Sequence, residues 1–416
     1  MVFANLVAQS SVKQVIIGNG GVYGNPSDHV SITTFDPITQ TVGEVGGVVR
    51  ESIQDLVIHE NFVYVTAEDS IVKFNLNTYQ KVASLYESNL HRIIYHNGNL
   101  YVSRRSDING PPADGIFLKV FNAEDLSLVA SIEGISSDAS GMVIAQDTLF
   151  LAVPGDWMAT EGKMAVIDIQ NFQLKRELNL GAEAVGLFDL FTDNSKVYTV
   201  NKSPYLANSG SVSTYDVITM NYSTSIFNHV VGKGVERIDH ILYLGLDNGI
   251  GSYNLLTNEV LEASIVPDPG SVDFKYIAAA AFDVVNQLFY VTITDYFSLG
   301  EGKIFDTNGS ETGTFAVGVS AEAISIDYEV ESTTEEIQKT FAINIYPNPV
   351  SSQLNIKSEF PIQEISIFNL LNQKVKSWKV NINSHQSIEI SELPKGVYLL
   401  QLNSPDGTIT RKIVKE

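Results

Sequence analysis

Residues 55–85, DLVIHENFVYVTAEDSIVKFNLNTYQKVASL, hold four short β-type runs: LVIH (56–59), FVYV (62–65), IVKF (71–74) and KVASL (81–85). Each is rich in β-branched or aromatic residues, and polar turn residues such as Glu60-Asn61 and Asn75-Leu76-Asn77 separate them. The segment reads as one antiparallel four-stranded sheet. Such a sheet has two apolar faces and two open edges, so it has to be stacked on others like it.

The chain supplies the others. An aromatic or aliphatic residue in the second strand recurs at Ile16, Tyr64, Tyr101, Phe150, Tyr198, Tyr243 and Tyr290. An aromatic or Ile followed by Asp or Asn closes the third strand at Phe35-Asp36, Phe74-Asn75, Phe121-Asn122, Ile167-Asp168, Tyr215-Asp216, Tyr253-Asn254 and Phe305-Asp306. A short polar side chain there bonds the backbone of the following turn, as in DPIT, NLNT, DVIT and NLLT. A solenoid or a two-sheet sandwich would also stack such units. Units of roughly 37 to 52 residues with four strands and no helical period fit propeller blades best. The expectation is therefore an all-β chain whose residues 10–328 form a seven-bladed β-propeller. The first unit lacks its own innermost strand, and AISID (323–327) is expected to fill that place and close the ring.

Composition narrows the class. Hydrophobic residues make up 44% of the 416 and aromatics 10%, as in a globular protein. Cysteine is absent, which removes thiol catalysis, Cys-type zinc sites and disulfides. No window approaches the length of uncharged apolar sequence that a spanning helix needs, so no direct membrane span is expected. MVFANLVAQ (1–9) resembles the tail of a secretory signal without a basic n-region. The formal charge of −22 is uneven: residues 341–416 carry eight Lys/Arg against six Asp/Glu, leaving 18 against 42 for the rest. So acidic a body speaks against nucleic acid as a partner; it serves solubility or, alternatively, a cation or cationic partner.

After a polar, acidic stretch read as a linker (EVESTTEEIQKT, 329–340), the composition changes, and residues 341–416 read as a small β-sandwich. IYPNPVSSQLNI, EISIFNLLNQKV, LPKGVYLLQL and the terminal RKIVKE occur there in order. They resemble the type A C-terminal sorting domain of the type IX secretion system of Bacteroidetes. The motif residues are Tyr346, Pro347, Asn348 and Pro349, then Lys395, Gly396, Val397 and Tyr398, with Asn372 standing where the family usually has Gly. The resemblance implies handling by the type IX secretion machinery and a secreted or outer-membrane surface location.

In a propeller, the loops joining second to third strands and those joining successive blades share one face. Five second-to-third loops read as long: GNGGVYGNPSDH (18–29), SRRSDINGPPADG (103–115), PGDWMATEG (154–162), NKSPYLANSG (201–210) and TDYFSLGEG (294–302). They offer Tyr23, Trp157, Tyr205, Tyr296 and Phe297, and the cations Arg104 and Arg105, as candidate ligand-binding residues around the mouth. His91 and His229 are the histidines expected near that mouth, and with acids they would make a metal site of the lactonase kind. Catalytic motifs fail: GNGGVYG misses the dinucleotide spacing and opens no helix, and neither G-x-S-x-G nor H-E-x-x-H occurs. No cofactor and no enzyme activity are expected.

The opening VIIGNGGVYGNPSDHVSITTFDPITQTV, with SITTFDPIT at 31–39, resembles surface-exposed propellers of Bacteroidetes that include the cobalamin-binding partner of TonB-dependent transporters. More loosely the chain resembles YncE-like and YVTN-type propellers. The resemblance implies a ligand-binding surface propeller, with a corrinoid as ligand and a TonB-dependent outer-membrane transporter as partner. A metal-dependent propeller hydrolase or oxidoreductase, and a protein-interaction scaffold or adhesin, are the alternative readings.

Overall fold

The computed structural model describes residues 10–25, 27–156, 158–330, 343–358, 361–369, 374–382, 385–404 and 407–416. Residues 1–9, and 331–340 of the stretch read as linker, lie outside them. The chain forms two compact units, one of them Ser10–Val330.

That unit contains seven four-stranded antiparallel sheets among the described residues, and in six of them the strands follow chain order from the innermost outward. The innermost strands are Asp55–His59, Leu90–His96, Met142–Ala145, Leu187–Thr192, Val231–Ile238 and Tyr276–Asp283. The first blade differs. Its innermost strand is Ala321–Val330, which pairs with Ser10–Asn19 from Ser10↔Val330 to Asn19↔Ala321. The inner strands touch in unbroken rotation, and Ala321–Val330 meets both Tyr276–Asp283 and Asp55–His59. The ring closes as a seven-bladed propeller, with the strand running on through Glu329 and Val330.

The apolar residues of each strand point to both faces of a blade, so the core is split into layers between blades. Seven buried clusters result, each shared by one neighbouring pair. The one joining the last blade to the first, for instance, packs Val15, Ile17 and Phe35 against Tyr290, Ile304 and Phe315. All seven third-strand landmarks (Phe35, Phe74, Phe121, Ile167, Tyr215, Tyr253, Phe305) are buried in these layers, as are six second-strand ones. Tyr243 is half-buried.

The Asp or Asn after each third-strand landmark works as the sequence suggests. Asp36 Oδ1 accepts the Ile38 and Thr39 N–H groups at 2.8 and 3.1 Å, and Asn75 Oδ1 accepts those of Asn77 and Thr78 at 2.9 Å. Asn122, Asp168, Asp216, Asn254 and Asp306 make corresponding bonds. These bonds hold the turn while its last residue enters the left-handed region, at Gln40, Tyr79, Leu126, Phe172, Met220, Asn258 and Gly309.

In the C-terminal unit, strands Ile343–Tyr346, Gln353–Ser358 and His385–Glu389 form one sheet. Lys374–Ile382, Ile362–Phe368, Gly396–Ser404 and Gly407–Lys415 form the other. They enclose Val350, Leu354, Ile365, Ile367, Leu400 and Ile413, a small β-sandwich core. Here the motif residues have identifiable work. Asn348 donates to the Lys412 carbonyl at 3.0 Å and accepts from the Val414 N–H at 2.8 Å, which ties the YPNP turn to the basic C-terminal strand. Tyr398 is buried and its hydroxyl donates to the Pro394 carbonyl at 2.9 Å, whereas Lys395 stays exposed.

Deleting residues 321–330 strips the first blade of its inner strand and exposes the Ser10–Asn19 edge. The expected outcome is loss of a single cooperative thermal transition, followed by circular dichroism. An unchanged transition would show that the ring does not depend on this pairing.

Candidate functional site

A cavity of about 790 Å³ opens on the face where the second-to-third loops and the blade-to-blade loops emerge. Loop residues Arg105, Ser106, Asp107, Asp138, Pro154, Asp156, Lys202 and Tyr205 line it, together with the inner-strand residues His91, Arg92, Phe188, Lys233 and Glu322.

Those inner-strand residues share a cause. In five blades the pairing of the innermost strand slips near its start: between Leu90 and Ile93, Leu187 and Asp189, Val231 and Gly234, Ile277 and Ala279, and Ala321 and Ala323. The residues skipped by the register are His91-Arg92, Phe188, Gly232-Lys233, Ala278 and Glu322. A bulge leaves its extra residue unpaired and re-aims the side chain. Here the bulged side chains large enough to reach it all line the cavity.

The result brings Arg92, Arg105, Lys202 and Lys233 together in a cavity that Asp107, Asp138, Asp156 and Glu322 also line. Arg92 is the compensated member: its guanidinium lies 3.3 Å from Asp189 and 3.7 Å from Asp55. Asp189 also accepts the Gly234 N–H at 2.8 Å, and Arg92 Nε has no hydrogen-bond partner among the described residues. Arg105, Lys202 and Lys233 form no ion pair among the described residues. Lys233 Nζ donates to the Ala278 carbonyl at 3.1 Å, and Lys202 Nζ stands 5.3 Å from the Phe188 ring centre, with Arg92 at 5.6 Å from the same ring.

The charges act on one another. Enclosure by the wall and the Arg92 charge lower Lys233 to about 8, opposed by Glu322 and Asp189, with Lys202 adding to the depression. Lys202 and Arg105 are lowered for the same two reasons, enclosure first. Lys233 and Arg105 are ringed by protein, yet their side chains stand open to the bore, whose solvent tempers the penalty. Glu322 is raised by enclosure, against the pull of Lys233 and Arg105. Burial, then Arg105 and Arg92, pushes His91 well below the ordinary imidazole range, so it is neutral. Its Nδ1 faces the Ala139 carbonyl at 2.9 Å, which fixes the proton on Nδ1.

The residues singled out from sequence divide. Arg105 and Tyr205 line this cavity, and Tyr296 lines a second one described below. Tyr23 and Phe297 make an exposed edge-to-face pair, ring centres 6.3 Å apart, and border neither cavity. Trp157 lies outside the described residues. Arg104 does not reach the mouth. It is 1% exposed, and bonds Asp114 at 2.7 Å, Glu87 at 3.0 Å and the carbonyls of Ser88 and Ile116 at 2.9 and 2.7 Å. Both faces of strand Asn99–Arg104 are buried between blades, so its last residue, Arg104, stays inside, while Arg105 follows the strand's end and is exposed.

The 294–302 loop is also shorter than expected. Asp295 accepts the Phe297 and Ser298 N–H groups at 2.8 Å, and Leu299–Asp306 is already strand, with Glu301 opposite Ile293. His91 and His229 do not come together: His229 pairs with Asp247. Among the described residues no group of three His, Asp or Glu is placed to hold a metal ion. Sequence reasoning missed Arg92, Lys202, Lys233 and Glu322. One signal was present, because Arg105 and Lys202 both directly follow the second strand of their blades.

Residues 344–416 match the family described as secretion system C-terminal sorting domain. This domain marks the protein as secreted or surface-attached through type IX secretion, and implies handling by that machinery. A search of curated proteins gives no match. Among solved structures the chain is similar to the hydrazine synthase of Kuenenia stuttgartiensis, with 12% identity over 77% of this chain and 99% of that one, TM-score 0.52. It is similar to a hypothetical selenium-binding protein from Sulfolobus tokodaii, with 11% identity over 76% and 90%, TM-score 0.55. A third likeness is to a chain of the mitotic checkpoint complex, 8% identical over 70% and 91%, TM-score 0.50. At such identities the likeness is one of fold. No helix among the described residues is long and apolar enough to cross a membrane.

The two adjacent arginines should separate in stability measurements. Arg104→Ala removes a buried guanidinium and leaves the Ser88 and Ile116 carbonyls without their donor, while Lys119 goes on pairing Glu87 and Asp114. It is expected to cost about 1–3 kcal/mol by denaturant titration, whereas Arg105→Ala stays within about 0.5 kcal/mol. Equal costs would refute the division.

The depressed Lys233 gives a second expectation. Its native pKa, about 8, lies below its ordinary 10.5, so the native state gains stability as pH rises from about 8 toward that value. An anion entering the cavity reverses the balance and favours the protonated amine. Binding should therefore take up protons near pH 8 and weaken as pH rises through it, read by calorimetry in buffers of different ionisation enthalpy. Lys233→Met should abolish the uptake.

Proposed function

We propose that this is a non-enzymatic, secreted or surface-attached binding protein whose propeller mouth captures an anionic ligand. The observation that carries the reading is the set Arg105, Lys202 and Lys233, three cations at one cavity without ion-pair partners among the described residues, in a protein of formal charge −22. Holding like charges together costs free energy, which an entering carboxylate or phosphate relieves. A guanidinium supplies a planar fork and two ammonium groups supply rotatable donors, a set suited to oxyanions. The volume is that of a small-molecule site.

Capture of a corrinoid for a TonB-dependent outer-membrane transporter is the second reading. The exposed edge-to-face Tyr23–Phe297 pair and the exposed Tyr205 support it, as aromatic surface on the loop face. A corrinoid exceeds the drug-sized ligands that such a cavity encloses and would rest on the rim.

Thermal-shift screening of carboxylates, phosphate, sulfate and cyanocobalamin discriminates the two. Stabilisation by anions that Lys202→Gln with Lys233→Gln removes, at a basal melting temperature equal to or above that of the native protein, is the expected result. Stabilisation by cyanocobalamin alone, untouched by those substitutions, would transfer the function to the rim.

A further inference from the structure

A second cavity, about 330 Å³, lies in the bore between the inner strands of the sixth, seventh and first blades. Arg92, Lys202, Lys233 and Glu322 line both cavities, so the second is continuous with the first. Its walls differ in kind. The bulge positions that carry Arg92, Phe188, Lys233 and Glu322 elsewhere are filled by Ala278 in the seventh blade and, beside Lys233, by Gly232. Where a bulge aims no long side chain into the bore, a slot remains. Gly245, which also lines the slot, is held small by its neighbour: a Cβ there would stand 3.1 Å from the Gly232 Cα. Tyr276, two residues before Ala278 on the same strand, and Tyr296 form a tilted ring pair with centres 6.3 Å apart, and both line the slot.

Small residues, an aromatic pair and cations around one slot describe a site for an amphiphilic anion. We infer that the ligand is an oxyanion joined to a slender aromatic group, of the arylalkyl carboxylate class. Its charged head meets Lys202 and Lys233, and its ring enters beside Ala278 and the Tyr276–Tyr296 pair. This inference rests on the anion-binding reading above and adds the tail.

The test is an NMR titration of the full chain with 3-phenylpropionate, propionate and neutral 3-phenylpropanol. Burial of the ring should make 3-phenylpropionate bind about tenfold or more tightly than propionate, and tighter than the alcohol. Ala278→Leu, which fills the slot, and Tyr296→Ala, which removes one wall, should each bring 3-phenylpropionate to the level of propionate while leaving propionate unchanged. The pair of variants guards against one that fails to fold. Equal affinities of 3-phenylpropionate and propionate would overturn the slot and leave the anion site standing. Absence of binding by both acids would overturn the two together.

Discussion

The pairing of Ser10–Asn19 with Ala321–Val330 is the constraint on which the rest of the structure depends. Four-stranded sheets bury both faces only when neighbours stand on both sides, and a linear stack always leaves two terminal faces in water. Joining the two ends of the unit in one blade removes those faces and converts seven weak sheets into seven shared apolar layers. Without the pairing, the layer formed by Val15, Ile17, Phe35, Tyr290 and Phe315 has no partner blade.

The ring also sets where chemistry resides. Its inner strands converge on the axis, where their apolar side chains in register pack between blades while Asp55 and Tyr276 border the bore. A slipped register near the loop face trades ladder hydrogen bonds for a side chain aimed at the axis, and five blades make that trade. The cost is further raised by placing cations beside one another, as the lowered pKa of Lys233 records. Asp189 and Asp55 hold Arg92 in place, while Arg105, Lys202 and Lys233 have no ion-pair partner among the described residues. An acidic exterior repels small anions at long range, so capture depends on short-range contact with the individual cations of the bore.

Export imposes its own demand on the C-terminal unit, where the motif residues secure the fold of the signal. Asn348 binds the backbone of the last strand, and Tyr398 fills the sandwich core while Lys395 remains at the surface.

The sequence by itself determined the architecture: the blade count, the buried aromatic landmarks, the Asp and Asn that hold the turns, the borrowed inner strand and the sorting domain. These rest on local periodicity and turn chemistry, which recur in every unit and need no knowledge of the others. It indicated the site only in part. Arg105, Tyr205 and Tyr296 were legible from their loops, but Arg104 beside Arg105 was not separable from it until the strand ended at a definite residue. Arg92, Lys202, Lys233 and Glu322 are far apart in the chain and sit in stretches with no shared motif. What gathers them is inter-strand register, a property of two strands at once, together with the closure of the ring. The tertiary structure alone therefore decided which charges face one another across the bore.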